Sequence, residues 1–334
     1  MDCSFIVTFY RPEDSDISSS LLYDKISESS GLSKVKMDIY IKDFLDKLSR
    51  DNLRIVKFPE IVLLCGGPAC ISNNEVKSFR DVLLKNDLST KYLLPEEIKE
   101  WNQGNLYSDL LTFEEDLAMI ISAVVLFVES AGAIAELGAF SKIVSINNKL
   151  LVIMDTTNYH QSSFITLGPV KYLENLNKGS ILTCKFLRRN ICCIENCQSE
   201  CDNVKNEINS FVKEIKTKNL DFNLTAHIAL FICEILSYFQ ILSFSEIKEI
   251  MDCICPKAKS VIQRAIFLLE SLDLIKSEHY MRSNYYFPTN CGQTVRFSFN
   301  DKYIDKVTFA KNYLEYLKKQ KDNIKCKAYF AHLR

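Results

Sequence analysis

The sequence predicts an α/β protein: a Rossmann-like parallel sheet domain followed by an α-rich winged helix-turn-helix module. Three observations predict it. Between about residues 56 and 180, short apolar runs alternate with amphipathic stretches at helical spacing. Those apolar runs are continuous, as strands buried on both faces require. From Thr225 the pattern changes to three helical stretches and one hairpin. Alternating strands and helices imply a parallel sheet covered on both faces, whose ligands sit at the carboxyl ends of the strands.

Taken in order, the first 55 residues hold an apolar start, a Ser-rich stretch from Ser15 to Ser33 and an amphipathic segment from Met37 to Leu48. IVLLCGG after Glu60 reads as a buried strand ending in two glycines, and Asn74–Leu84 as a helix with Val76, Phe79, Val82 and Leu83 at helical spacing. LSTKYLLPEEI reads as a second strand ending at Pro95. Thr112–Ile121 reads as a helix leading into the strand AVVLFVES, followed by a helix over Ala133–Val144 and the strand KLLVIMD. After Lys178 a Cys-rich, charged connector follows. The helices AHIALFICEILSYFQ, FSEIKEIMD and KAKSVIQRAIFLLESLD then precede the hairpin LIKSEHYMRSNYYFPT, with Asn284 supplying its turn, and an amphipathic helix over about Ile304–Lys319 ends the chain. The expected boundaries are 1–55 for an N-terminal extension of unassigned role, 56–180 for the sheet domain, 181–222 for a helical connector, 223–300 for the winged helix-turn-helix and 301–334 for a C-terminal helix and tail.

At 334 residues the chain exceeds what one hydrophobic core usually supports, so two domains are expected. Nine Gly and seven Pro argue against a fibrous or disordered chain. The cysteine count of 13 is odd and the chain is too long to need staples. MDCSFIVTFYRPED lacks the basic start of a secretory signal, and the apolar run Ala118–Val128 is shorter than the roughly 20 residues of a membrane span. These features predict a reduced, cytoplasmic protein with no membrane association. Cys193, Cys197 and Cys201 recur at helical spacing, with Cys192 adjacent and Cys253 and Cys255 as a second group. None has the paired spacing of zinc ligands, so unligated thiols and no metal are expected. His160, in a loop, is expected to be solvated.

Charge is uneven: from Lys257 onward 15 Lys and Arg face 7 Asp and Glu, leaving +8 there and −9 in the first 256 residues. Either one end meets an anionic partner or the module has a solvated basic surface.

No GxxxxGK[ST], GxGxxG after the first strand, HExxH or GxSxG occurs, which removes support from kinase-like, dinucleotide dehydrogenase, zinc protease and hydrolase-elbow chemistries. What remains is carboxylates at strand ends. VVLFVESAGAIAELGAF puts Glu129 at a strand end, Gly132 in the turn and Glu136 early in the next helix; Glu115 starts the preceding helix and Asp155 ends the following strand. Acids from adjacent loops facing one cleft suit glycosidic cleavage, in which one carboxylate captures an oxocarbenium-like carbon while another group assists the leaving base. Alternatively, Glu136 merely complements its helix dipole.

The run ESAGAIAELGAFS, with CGG at the first strand and EEDLAMIISAVVLF between, resembles the nucleoside deoxyribosyltransferase-like fold. It resembles still more the retron-encoded effectors that join such a domain to a C-terminal winged helix. YLLPEEI, LLVIMD, SSFITLGPVKYL and the terminal YFAHLR extend the likeness over roughly residues 58 to 334. The resemblance implies that Glu136, the Glu of the ELG motif, is the nucleophile forming a ribosyl or deoxyribosyl intermediate, and that Glu115 orients the substrate. Gly66, Gly67 and Pro68 would let substrate approach the backbone beside a helix N-terminus suited to phosphate, and Glu129, Ser130 and Gly132 would contact sugar or phosphate, with Asp155 nearby. Ser163 stands where the transferases offer an Asn to a neighbouring subunit, which favours a nucleotide hydrolase over a salvage transferase. The implied setting is a phage-defence toxin, a homo-oligomer, restrained by a reverse transcriptase and its branched DNA–RNA product (msDNA). NAD or a related nucleotide is its substrate, and no cofactor is needed. Lys257, Lys259 and Arg264 on the recognition helix and Arg282 on the wing would contact phosphates. The alternatives are a nucleoside deoxyribosyltransferase and a non-catalytic, nucleotide-sensing DNA-binding regulator.

Overall fold

The computed structural model describes residues 37–69, 78–87, 89–185, 198–213, 218–300, 304–320 and 323–333. The Ser15–Ser33 stretch, Val76, Cys192, Cys193 and Cys197 lie outside these residues. Helix α1 (Ile39–Lys47) runs directly into strand β1 (Leu48–Ile55). The alternating region follows: β2 (Val62–Cys65), α2 (Phe79–Asn86), β3 (Tyr92–Leu93), α3 (Leu110–Ile120), β4 (Ala123–Phe127), α4 (Ala131–Phe140), α5 (Val144–Asn147), β5 (Leu150–Asp155), α6 (Thr156–Tyr159), α7 (Lys171–Leu176) and β6 (Ile181–Cys184).

These five strands, β2 to β6, form one parallel sheet in the order β3-β2-β4-β5-β6. Every residue of β2, β4 and β5 is buried, as the continuous apolar runs require. Counted from β2, this is the doubly wound 2-1-3-4-5 order, whose direction reverses between β2 and β4, and a ligand crevice belongs at that reversal. Polar caps account for where the helices begin. Ser78 accepts the Asp81 N–H at 3.0 Å, Asp109 that of Thr112 at 2.8 Å and Ser130 that of Ala133 at 3.1 Å. Asp109 and Ser130 therefore start α3 and α4 two residues earlier than periodicity alone indicates. The second strand is much shorter than expected, because Leu94 leads into 3₁₀ turns over Pro95–Glu97 and Lys99–Asn105. Lys149 is buried, and its ammonium donates to the Met119 and Ile121 carbonyls at 2.7 and 2.9 Å, satisfying the end of α3.

The sheet extends past the expected boundary at residue 180: β6 pairs with β5, with Asp155 opposite Cys184. Helix α8 (Gln198–Lys213) then covers the sheet face already covered by α2. Val204 and Ile208 join Val82, Leu83, Leu64 and Val125 in one core cluster. The strand ILTC escaped notice because it is a four-residue edge strand, only partly buried, too short to show a pattern.

The remaining elements are β7 (Lys218–Asn219), α9 (Thr225–Phe239), β8 (Leu242–Ser243), α10 (Phe244–Ile254), α11 (Lys259–Ser271), β9 (Ile275–Tyr280), β10 (Ser283–Pro288), β11 (Val295–Phe299), α12 (Lys306–Lys319) and α13 (Ile324–His332). Three helices and the antiparallel sheet β8-β10-β9 stand in the expected order. The hairpin turns at Met281 and Arg282, not at Asn284. Met281 takes the positive φ of 57°, while Asn284 lies within β10 opposite His279. Ser243 and Glu246 form a capping box at the start of α10.

Residues 39–55 are not a separate extension. Strand β1 pairs with β11, Leu48 opposite Phe299, and on its other edge with β7. Phe44 of α1 sits among Tyr238, Phe239, Phe297, Phe299 and Phe309 at ring separations of 5.1 to 6.1 Å. The expectation of reduced cysteines fails at Cys233 and Cys291, whose disulfide ties α9 to the segment after β10 across 58 residues. No sequence motif marks so distant a pair. Cys253 and Cys255 are free thiols, and Cys201 lies in the core cluster. No helix among the described residues is long and apolar enough to cross a membrane.

Candidate active site

A cleft of about 470 Å³ opens at the carboxyl ends of β2 and β4, where the strand order reverses. Its floor is the turn Gly66, Gly67 and Pro68; Glu136 enters from α4 and Glu114 from α3. Arg80 of α2, Glu96 of the first 3₁₀ turn and Trp101 of the second complete the walls. Cys65, Pro95, Ile98, Lys99 and Leu110 also line it; the sequence reading named Glu136, Gly66, Gly67 and Pro68 and none of the other nine.

Glu136 does not cap its helix, since Ser130 does so. It lies in the second turn of α4, half-buried, and its Oε2 has no hydrogen-bond partner among the described residues. Burial pushes its carboxyl up, Arg80 opposes that and Glu96 adds to it. Glu114 is buried on α3 and is pushed up to about 7, by burial first and then by the charges of Glu136 and Glu96. The cleft therefore holds a carboxyl that is about half protonated near neutral pH and a second acid, Glu136, with a disengaged oxygen. Such a pair can divide acid and nucleophile roles.

Of the two adjacent acids, Glu114 lines the cleft and Glu115 does not. One residue further along α3, Glu115 is absent from the cleft lining and has Asp116 as its charged neighbour. The acid pair EE in the sequence signalled the site but not which member turns inward.

Glu129 does not line the cleft. Its carboxylate accepts the N–H groups of Gly67 at 3.3 Å, Phe79 at 2.9 Å and Arg80 at 3.3 Å. It therefore fills the N-terminus of α2, where phosphate was expected, with the protein's own anion. The glycines serve this packing. A Cβ on Gly67 would meet Glu129 Cγ at 2.9 Å, and Gly66, at φ +146°, would meet the Phe127 Cβ at 2.8 Å.

Asp155 is buried and accepts the Thr157 N–H at 2.8 Å, capping α6. Ser163 exchanges bonds with Thr166, and the Ser130 hydroxyl is used by its own helix. None of these three, nor Gly132, lines the cleft. No group of three or more His, Cys, Asp or Glu side chains among the described residues is arranged to hold a metal ion.

Of the basic residues expected to meet nucleic acid, Lys259 and Arg282 are exposed and Lys257 is half-buried. Arg264 is turned inward: its guanidinium lies 5.7 Å from the Tyr107 ring and its charge acts on Asp116 of α3. Phe267, one turn on, packs against Phe113 at 6.1 Å, next to Glu114.

Two Escherichia coli proteins are similar in sequence. "Retron Ec86 putative ribosyltransferase/DNA-binding protein" is 34% identical over 125 residues, 37% of this chain and 40% of that protein. "Retron Ec73 putative ribosyltransferase/DNA-binding protein" is 31% identical over 130 residues, 36% of this chain and 40% of that protein. The match thus spans about two fifths of each curated relative's length. A family profile described as "STM3845 retron effector protein" matches residues 76–277, more than half of the sequence. That span contains all the cleft residues except Cys65, Gly66, Gly67 and Pro68, and it takes in α11; the chain belongs to the STM3845 retron effector family.

Proposed function

We propose that this protein is an N-glycosidase that cleaves a nucleoside or nucleotide, NAD-like in kind, through a covalent ribosyl intermediate on Glu136. The observation that carries this is the unpartnered, buried Oε2 of Glu136 in one cleft with a second carboxyl, Glu114, that is about half protonated near neutral pH. Glu136 attacks the anomeric carbon and the C–N bond breaks with its electron pair going to the base: a purine or pyrimidine takes a proton from Glu114 as it leaves, whereas the nicotinamide of NAD, a cation while bound, leaves neutral and needs none, Glu114 then being ionised from the start. Glu114 then takes a proton from water as that water displaces Glu136, so the sugar leaves with its anomeric configuration retained. Trp101, stacked near Phe113 at 6.4 Å, offers a flat wall to the leaving base. Ser130 caps α4 and so holds the helix that carries Glu136. Glu129, Asp155 and Ser163 act by holding the turns.

In the retron setting the enzyme is a phage-defence toxin of the cytoplasm, restrained by a reverse transcriptase and its msDNA. The C-terminal module is a winged helix that touches that nucleic acid through Lys257, Lys259 and Arg282. The names of the two relatives, which pair ribosyl transfer with DNA binding, support this division of labour. A homo-oligomer is part of the proposal, as in the transferases the sequence resembles.

The test is to incubate the protein and its Glu136→Gln variant with NAD and a panel of nucleosides and nucleotides, following free base by chromatography. Glu136→Gln is expected to lower base release by roughly three orders of magnitude or more. Base exchange without net hydrolysis would assign a nucleoside deoxyribosyltransferase instead. Binding without turnover in either protein would leave a nucleotide-sensing regulator.

A further inference from the structure

Arg80 has no place in the mechanism above, yet it is the most constrained charge near the cleft. It is 2% exposed and lines the cleft from α2. One arm of its guanidinium donates to the Leu64 carbonyl at 2.8 Å, and the other is ion-paired with Glu96. Its Nε is buried without a partner among the described residues, as is Glu136 Oε2. A buried guanidinium left partly unsatisfied is costly, so its retention needs a function or a compensating charge.

The groups around it supply that charge. Glu96 is ion-paired with it from the first 3₁₀ turn, the guanidinium charge acts on Glu136 of α4, and Glu114 of α3 lines the same cleft, while the Cys65 thiol at the end of β2 is kept neutral by burial. Glu129 accepts Arg80's own N–H and is neutralised by two further backbone donors. Lys99, the other cation of the cleft lining, is exposed. Three carboxyls in one cleft cannot all ionise without a cation among them. Glu96, the most exposed of the three, is held by Arg80 directly.

We infer that Arg80 is the positioning residue of the cleft, the buried cation that decides which carboxyl carries the charge: Glu136 ionised, Glu114 protonated. This deepens the proposed function and rests on its assignment of Glu136 as nucleophile. Arg80 touches no reacting atom; it acts through Glu136 and Glu96. Burial and the Glu96 charge both push the Glu136 carboxyl up, and Arg80 is what opposes them. Without it, Glu136 would hold a proton over part of the range in which Glu114 must hold one.

The experiment uses the full chain with Arg80→Met and Arg80→Lys. In a carbon-detected NMR titration with labelled glutamate, the Glu114 and Glu136 signals are assigned by their loss in Glu114→Gln and Glu136→Gln. Arg80→Met should raise the Glu136 midpoint by about one pH unit or more, and Arg80→Lys should restore most of it. In base release, the acid limb of the pH profile should move up by the same amount, costing about tenfold in kcat/KM on that limb, with a smaller change at the optimum. An unmoved Glu136 midpoint, or an equal loss of rate at every pH, overturns the inference. Should Arg80→Met not fold, Glu96→Gln is compared with Glu96→Gln/Arg80→Gln, which removes the pair together and asks for the same rise. If the wild type releases no base from any substrate, the glycosidase reading fails, and the titration still decides the role of Arg80.

Discussion

Glu114 and Glu115 are neighbours in sequence, about 100° apart around α3, and that rotation decides which acid meets the cleft. The inward one is buried near two other acids and is pushed up to about 7. A carboxyl raised above its unfolded value stabilises the fold below the unfolded pKa, and that contribution is lost as pH rises through the folded value. Wild-type stability should therefore fall between about pH 4.5 and 7 by on the order of 2 kcal/mol from this group. Glu114→Gln should flatten that slope in urea melts across pH, and an unchanged slope would remove the raised carboxyl. Glu129 teaches the complementary lesson. Its sequence position, at a strand end before a Ser-Ala-Gly turn, is that of a ligand contact, but three backbone donors have claimed it.

At the scale of elements, the strand ends and helix starts form one joint. Glu129, leaving β4, closes α2, and Gly67, leaving β2, makes room for it. Gly67→Ala should push Glu129 off the α2 N-terminus. The expected cost is roughly 1 to 3 kcal/mol by denaturant unfolding, together with weaker protection of the Phe79 and Arg80 amides to hydrogen exchange. Full stability in that variant would mean that the carboxylate has another resting place. Much of this level was legible. The buried strands and their helices came from continuous apolar runs and 3.6-residue periodicity, while their bounds moved: α3 and α4 start at the caps Asp109 and Ser130, because a cap is one side chain's hydrogen bond, and the second strand shrank to Tyr92–Leu93. Strand β6 was not legible, since a four-residue edge strand is too short to show a pattern.

Across the whole molecule, residues 39–334 fold as one compact unit, so the sheet domain and the C-terminal module are not independent beads. Helix α9 packs on α3, and Lys91 donates to the Leu272 carbonyl at 3.1 Å. The module's α11 places Phe267 against Phe113, one residue before Glu114. The N-terminal side contributes Phe44 to the module's aromatic centre. Phe44→Ala should cost about 3 to 5 kcal/mol and lower the melting temperature of the module, because five rings lose their common neighbour. A loss below about 1 kcal/mol would show that residues 39–55 merely decorate it.

Local chemistry along the chain was enough to determine the parallel sheet, the order of helices and hairpin after it, the retron effector likeness and a place for Glu136 at the carboxyl ends of the strands, where it lines the cleft. Each depends on periodicity or a contiguous motif, which one stretch of sequence carries whole. Tertiary structure alone decided that Glu114 rather than Glu115 is inward, that Arg80, Glu96 and Trp101 share the cleft, and that Arg264 turns to Tyr107. It also decided the pairing of β1 with β11 and of Cys233 with Cys291. These are contacts between residues distant in sequence, or choices between neighbours one position apart, and both are settled by how elements rotate and pack against one another rather than by the residues they contain.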